Sequence, residues 1–99
     1  MFDKLMQAQQ KAGEIKSRLD AVTVTGTAEG DKITVTANGN KIIQSINIDN
    51  DFFKEADKEQ LEELLVIATN KAMEQADNVS QTEMAAMTKE MFGGLGGLF

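Results

Sequence analysis

Lys4, Lys11 and Arg18 stand seven residues apart, and Lys16 lies between the last two. On a helix a seven-residue interval is close to two turns, so the three form one row of cations with a rise of roughly 10 Å per step. Fixed positive charge in a row binds anions: the phosphates of a polyanion, or the carboxylates of a neighbouring acidic helix. The chain has material for such a helix, since residues 50–99 carry ten acidic and four basic side chains, against three and four in residues 1–21. Both readings stay open, and both can hold at different residues.

Other chemistries lack their residues. The chain has no His and no Cys, which removes imidazole and thiolate ligands, disulfides, thiol nucleophiles and the usual general base at neutral pH. Carboxylates are plentiful, yet no recognisable motif sets a pair of them beside a nucleophile, a base or a phosphate loop, so no enzyme is expected. A calcium loop starting at Asp49 and Asp51 fails, because Phe53 sits where a third oxygen ligand belongs, Lys54 where Gly is required and Gln60 where the bidentate Glu should be. Neither a metal nor another cofactor is expected. All five aromatic residues are Phe, at positions 2, 52, 53, 92 and 99, away from the strand-like segments, so base stacking on a sheet has no support. A net charge of −6 disfavours a broadly basic nucleic-acid binder but not a local basic stripe.

The cationic row rides on a helix with its own seam. Leu5, Ala8, Ala12, Ile15, Leu19 and Val22 follow one another at alternating spacings of three and four, a heptad pattern. With Leu5 at position a, Lys4, Lys11 and Arg18 fall at g and Lys16 at e, flanking the seam. The seam is short for a free coiled coil, and Gly13 inside it costs roughly 1 kcal/mol relative to Ala. Packing on the second helix or on another subunit is therefore expected to hold this helix.

Residues 22–49 alternate apolar side chains with Thr, Ser, Asn or Gln in three segments separated by Gly-containing breaks, which predicts strands. Val22, Val24, Gly26 and Ala28 share one face of the first, and Ile33, Val35 and Ala37 one face of the second. In the third, Lys41 to Asp49, Ile42, Gln44, Ile46 and Ile48 are expected on one face and Ile43, Ser45 and Asn47 on the other. Glu29-Gly30-Asp31 and Asn38-Gly39-Asn40 supply the turns, the latter with the residues that favour positive φ. An antiparallel meander follows. Beyond it, Phe52 and Phe53 are expected to close the end of the core from an acidic connection.

Asp57 and Gln60 have the spacing of a capping box, and Leu61, Leu65, Ala68, Ala72, Ala76 and Val79 form an apolar stripe behind it, broadened by Leu64 and Ile67. Ser80 and Glu83 repeat the capping spacing, and Met84, Met87 and Met91 are out of phase with the first stripe. The helix therefore either breaks near Asn78 or continues and changes the face it buries. Continuous from Lys58 to Phe92 it measures about 50 Å, longer than a compact domain of this size is wide, and needs a second chain or projects into solvent. The methionines suit a dimer contact or a partner surface. Residues 1–92 are read as a single α+β domain and residues 93–99, G-G-L-G-G-L-F, as a flexible tail, with a docking peptide as the alternative. No segment approaches the roughly 18 apolar residues that cross a bilayer, and no signal-like apolar run opens the chain, so the cytoplasm is the expected compartment and no membrane partner is expected.

In this order the chain resembles the YbaB/EbfC family of small bacterial nucleoid-associated proteins. The resemblance rests on the first helix, Phe2-Asp3-Lys4-Leu5-Met6-Gln7-Ala8-Gln9-Gln10-Lys11; on Val24-Thr25-Gly26 before a hairpin; on V-T-A-N-G, Val35 to Gly39; and on a strand ending I-N-I-D, Ile46 to Asp49. It continues through Leu61-Glu62-Glu63-Leu64-Leu65-Val66-Ile67-Ala68-Thr69-Asn70-Lys71-Ala72 and the Gly/Leu/Phe tail. The resemblance implies a tweezer-like homodimer with sheets at the centre and helices as arms, and double-stranded DNA bound at the nucleoid with weak or variable sequence preference. It nominates Lys4, Lys11, Lys16 and Arg18 as DNA-binding residues, with Lys71 and Lys89 on the acidic second helix. Dimerisation also has support in the residues themselves: a three-stranded sheet leaves two edges, the first helix has a seam, and the last is too long for one globule. Leu5, Ala8, Ala12, Ile15, Leu19, Met84, Met87 and Met91 are the packing and dimer candidates, and residues 84–99 the candidate contact for a protein partner.

Overall fold

A computed structural model of the protein describes residues 2–93, the side chains of residues 2–4, 8 and 91–93 excepted. The elements run α1 (Phe2–Ala21), β1 (Thr23–Ala28), β2 (Ile33–Asn38), β3 (Ile43–Ile48), α2 (Asn50–Glu55) and α3 (Lys58–Gly93). The strands form an antiparallel sheet in the order β1-β2-β3, the meander expected from the alternation. Its first connection carries Glu29 and Gly30 in the left-handed region, at φ 54° and 64°.

One face of the sheet is covered by α3, and the core lies between them. Ile33, Val35 and Ala37 from β2 are sealed against Ala68 and Ala72 of α3, with Phe52, Leu61, Leu64 and Leu65 packed around them. The stripe of alanines, rather than leucines, has a geometric cause. Gly26 of β1 lies so close to α3 that a Cβ there would overlap the Ala68 carbonyl oxygen and the Ala72 nitrogen. Backbone meets backbone at this crossing, and only small side chains fit beside it.

The third strand departs from simple alternation. Thr36 pairs with Ser45 but Ala37 with Ile43, which leaves Gln44 as an extra residue in a bulge. Directly paired residues point to the same face, so Ile43 joins Ile46 and Ile48 on the apolar side, where the sequence pattern had placed Gln44. The bulge shifts the start of β3 by one residue, and alternation alone does not reveal it. Because α3 crosses β1 and β2, it leaves this side of β3 uncovered: Ile43 is 45% and Ile46 51% exposed.

The acidic connection after β3 is itself the short helix α2, capped by Asp49, whose carboxylate accepts from the Phe52 N–H at 3.0 Å. Asp49 thus works as a helix cap. Of the two phenylalanines only Phe52 packs on the core, and Phe53 faces outward.

Helix α3 starts where the capping spacing placed it, with Asp57 accepting from the Gln60 N–H at 2.8 Å. It runs unbroken for 36 residues, about 54 Å. At the level of the second capping candidate the chain stays helical, and Ser80 is half-buried within it. The phase of the buried stripe shifts because the neighbour changes: Leu61, Leu64, Leu65, Ala68, Ala72 and Met73 pack on the core against the sheet, and Ser80, Met84 and Met87 border a cleft against α1. The result is an elongated molecule, 63 × 23 × 16 Å with a radius of gyration of 18.9 Å, against about 13 Å for a compact domain of this length.

Candidate nucleic-acid interface

Beyond the sheet, α1 and the distal half of α3 form an antiparallel two-helix arm. Ile15 and Leu19 are its buried contacts, and with Ala12, Ser80, Met84 and Met87 they line a cleft of about 210 Å³. Of the expected seam, Ile15 and Leu19 are buried, whereas Ala12 and Leu5 are exposed. The seam faces this chain's own α3 only over its C-terminal half. Ala8 and Met91 lie outside the described side chains.

Two ion pairs set the register of the arm. Lys11 Nζ stands 3.4 Å from Glu90 Oε2, and Arg18 Nη1 stands 3.5 Å from Glu83 Oε2. Lys11 and Arg18 are seven residues apart, and so are Glu83 and Glu90. The cationic row therefore meets an anionic row of equal spacing running the opposite way. That matched interval is the available signal for the partners of the row: Glu83, considered above only as a capping candidate, and Glu90.

The remaining cations are less engaged. Lys16 is exposed, and its backbone carbonyl, not its ammonium, is the group held, by Asn40 Nδ2 at 2.9 Å. Lys71 and Lys89 are exposed on α3. Eighteen residues separate them, about five full turns, so they share one line along the helix roughly 27 Å apart. Among the described residues, Lys16, Lys71 and Lys89 form no ion pair within 4.0 Å. The Lys4 side chain lies outside the described residues.

The arm is fastened to the sheet by the β2–β3 turn, which does more than reverse the chain. Asn40 Nδ2 also donates to Asp20 Oδ1 at 2.6 Å, and the Gly39 N–H donates to the carbonyls of Leu19 and Val22 at 2.8 and 3.1 Å. The Leu19 carbonyl, which also accepts from the Val22 N–H at 3.2 Å, is one of those that the end of α1 leaves without a helical partner. Asn38 Oδ1 accepts from the backbone N–H groups of Asn40 and Ile42, holding the turn in shape. The residue in the left-handed region is Lys41, at φ 66°, so the expected positive φ falls outside Asn38-Gly39-Asn40. Gly39 is needed for closeness instead: a Cβ there would stand 2.8 Å from Leu19 Cδ2 and 2.9 Å from the Leu19 carbonyl oxygen. Lys41 Nζ then ties the turn to α3 through Asp77 Oδ1 at 2.9 Å.

Chemically, the arm offers cations to an anion. Among the described residues no group of three or more acidic side chains is placed to hold a metal ion, and no helix is long and apolar enough to cross a membrane.

The sequence profile of the YbaB/EbfC DNA-binding family matches residues 1–91. A nucleoid-associated protein of Chloroflexus aurantiacus is 38% identical over 99 residues, covering 100% of this chain and 95% of its own. One of Flavobacterium johnsoniae is 36% identical over 89 residues, covering 90% of this chain and 82% of its own. The crystal structure of an uncharacterised Helicobacter pylori protein shares the fold, with a TM-score of 0.69 at 18% identity over 84% of this chain and 96% of that one. The match over nearly the whole length, with relatives above one-third identity, places the chain in the YbaB/EbfC DNA-binding family.

Proposed function

We propose that the protein is a homodimer that binds duplex DNA through its phosphates, with little sequence preference, and so organises the chromosome or modulates expression. The observation that carries this reading is the row of Lys11 and Arg18 on an arm that projects from the sheet, opposed by glutamates that are themselves solvent-accessible. Exposed pairs of this kind contribute about 0–1 kcal/mol each, so a phosphate can replace a carboxylate at small cost. Lys16 adds an exposed cation beside the row, and Lys4, Lys71 and Lys89 extend the candidate set. Contacts to phosphate fix position without reading sequence, which is the basis for expecting weak preference.

Dimerisation is supported by the uncovered apolar side of β3 with Ile43 and Ile46, and by an arm that stands clear of the globule. The sheet then forms the base of a tweezer, and two arms present two cationic rows to one duplex.

Fluorescence anisotropy with duplex DNA across a salt series tests the proposal. Binding is expected at about 50 mM salt and should fall steeply as salt rises. No binding at tens of micromolar dimer at low salt would sink it.

Met84 supports a second reading, a dimeric interaction module using residues 84–99. This residue is 53% exposed beside the half-buried Met87, an adaptable surface for a protein partner. That reading predicts a partner captured by the full chain and lost when residues 84–99 are removed, with DNA affinity unchanged.

A further inference from the structure

The face of α3 turned away from α1 carries no acidic residue for about five turns. Successive residues of a helix are rotated by about 100°, so Lys71, Gln75, Asn78, Thr82, Ala85 and Lys89 all fall within about 40° of one line. Each of them is exposed. Ser80, Met84 and Met87, which border the cleft against α1, lie about 140–180° from that line. The acidic side chains of this stretch, Glu74, Asp77, Glu83 and Glu90, stand about 60–120° away from it. On a helix that is otherwise acidic, the outer strip therefore has a cation at each end and only neutral side chains between them. Its charge complements an anion.

The order of residues along the strip fits a groove of duplex DNA. The major groove is about 12 Å wide and admits a helix. A straight rod laid in a curving groove is deepest at its middle and meets the backbone at its ends. Lys71 and Lys89, roughly 27 Å apart, are those ends, and the middle is short and neutral, with Asn78 and Thr82 on either side of the midpoint. Among the described residues, the side-chain amides of Gln75 and Asn78 take part in no hydrogen bond, in contrast to Gln81, whose Nε2 donates to Asp77 Oδ2 at 2.9 Å. Thr82 Oγ1 donates to the Asn78 carbonyl at 2.9 Å, so the group it has left to offer is its methyl. These groups match an A·T pair. A carboxamide bonds adenine N6 and N7 together, and small apolar groups such as Ala and the Thr methyl contact the thymine methyl. Guanine is read by Arg or Lys, and neither stands in the middle of the strip.

We propose that the outer face of α3 enters the major groove of duplex DNA and discriminates A·T from G·C pairs. Gln75 and Asn78 bond adenine edges, Thr82 and Ala85 meet thymine methyls, and Lys71 and Lys89 take phosphates at either end. Arg18 and Lys11, held by Glu83 and Glu90 on one flank of the strip, then stand beside the groove where the backbone runs. This inference rests on the duplex-binding reading and narrows its weak sequence preference to one class of base pair.

Anisotropy titrations at about 50 mM salt with three duplexes of equal length, alternating A·T, alternating G·C and alternating I·C, test it. An I·C pair shows the minor-groove edge of A·T and the major-groove edge of G·C, so it separates the two grooves. The A·T duplex is expected to bind at least about fivefold tighter than the G·C and I·C duplexes alike. Equal affinity for A·T and G·C overturns the inference and leaves duplex binding standing. An I·C affinity equal to that for A·T also overturns it, since the contact would then lie in the minor groove. No binding to any of the three overturns the duplex-binding reading as well. Gln75→Ala with Asn78→Ala, both at exposed sites, should bring the A·T affinity down to that for G·C, and a preference that survives loss of both amides counts against the proposal. Lys71→Gln with Lys89→Gln should weaken all three duplexes by a common factor and lower the salt slope by up to about 2 per arm. Unchanged binding in that variant overturns the proposal too.

Discussion

Gly26 of β1 lies beneath Ala72 of α3 with no room for a side chain, because a Cβ on Gly26 would collide with the Ala72 backbone nitrogen. The obstacle is backbone, so it cannot turn aside as the end of a flexible side chain can. Gly26→Ala is expected to lower stability by about 1–3 kcal/mol or more, read as a fall in thermal midpoint. Gly13→Ala is the internal contrast. Nothing lies within 4 Å of its Cβ position, and the helix gains about 1 kcal/mol, so the same substitution should raise the midpoint.

Charge neutralisation on the arm separates the two roles of the cationic row. Lys11→Gln with Arg18→Gln should weaken duplex binding for every sequence alike and reduce the salt slope by up to about 2 per arm. Glu83→Gln with Glu90→Gln removes the carboxylates that compete with phosphate and should tighten binding several-fold at low salt. Unchanged affinity in the glutamate variant, measured by anisotropy, would mean that the row serves the arm alone.

Asn40 joins the arm to the sheet by side-chain bonds to the Lys16 carbonyl and the Asp20 carboxylate. Asn40→Ala leaves both acceptors without this donor and should cost about 1–3 kcal/mol, the carboxylate bond being the stronger. Amide exchange in the last two turns of α1 should quicken, while that of β1 and β2 stays slow. An unchanged exchange pattern would show that the turn does not hold α1.

The apolar side of β3 is the expected subunit contact. Ile46→Lys puts a charge there beside its cross-strand partner Val35, and because Ile46 is 51% exposed the lysine can reach solvent without displacing the sealed core, so the far-UV circular dichroism should persist while the mass by light scattering falls to that of one chain. A dimer that survives the substitution would move the contact elsewhere.

Much of this architecture was legible from residue spacing, and the places where it was not have physical causes. Period-two alternation found three strands, and Asp57 marked the start of α3, because both signals are local. The bulge at Gln44 depends on how β3 pairs with β2 and leaves no mark in β3 itself. The unbroken course of α3 through Ser80 was undecidable from its own residues, since the phase of its apolar stripe is set by what lies beside it, first a sheet and then α1. The cations of the row were visible at heptad spacing. Their pairing with Glu83 and Glu90 needed the antiparallel docking of two segments about 70 residues apart in the chain. The second task of Asn38-Gly39-Asn40, holding the end of α1, is likewise a long-range contact made by residues that a turn alone would explain.

The unbroken α3 has a mechanical consequence. One rod is clamped to the sheet at Ala68 and Ala72 and ends roughly 30 Å further along at Gly93, so it behaves as a lever whose fulcrum is the Gly26 crossing. A tilt of about 10° at that fulcrum swings the far end by about 5 Å over such a length. Small changes in side-chain volume beneath the alanine stripe are thereby magnified into displacement of the arm's far end, and in the proposed dimer they would tune the gap offered to a duplex from within the core rather than at the surface that meets it.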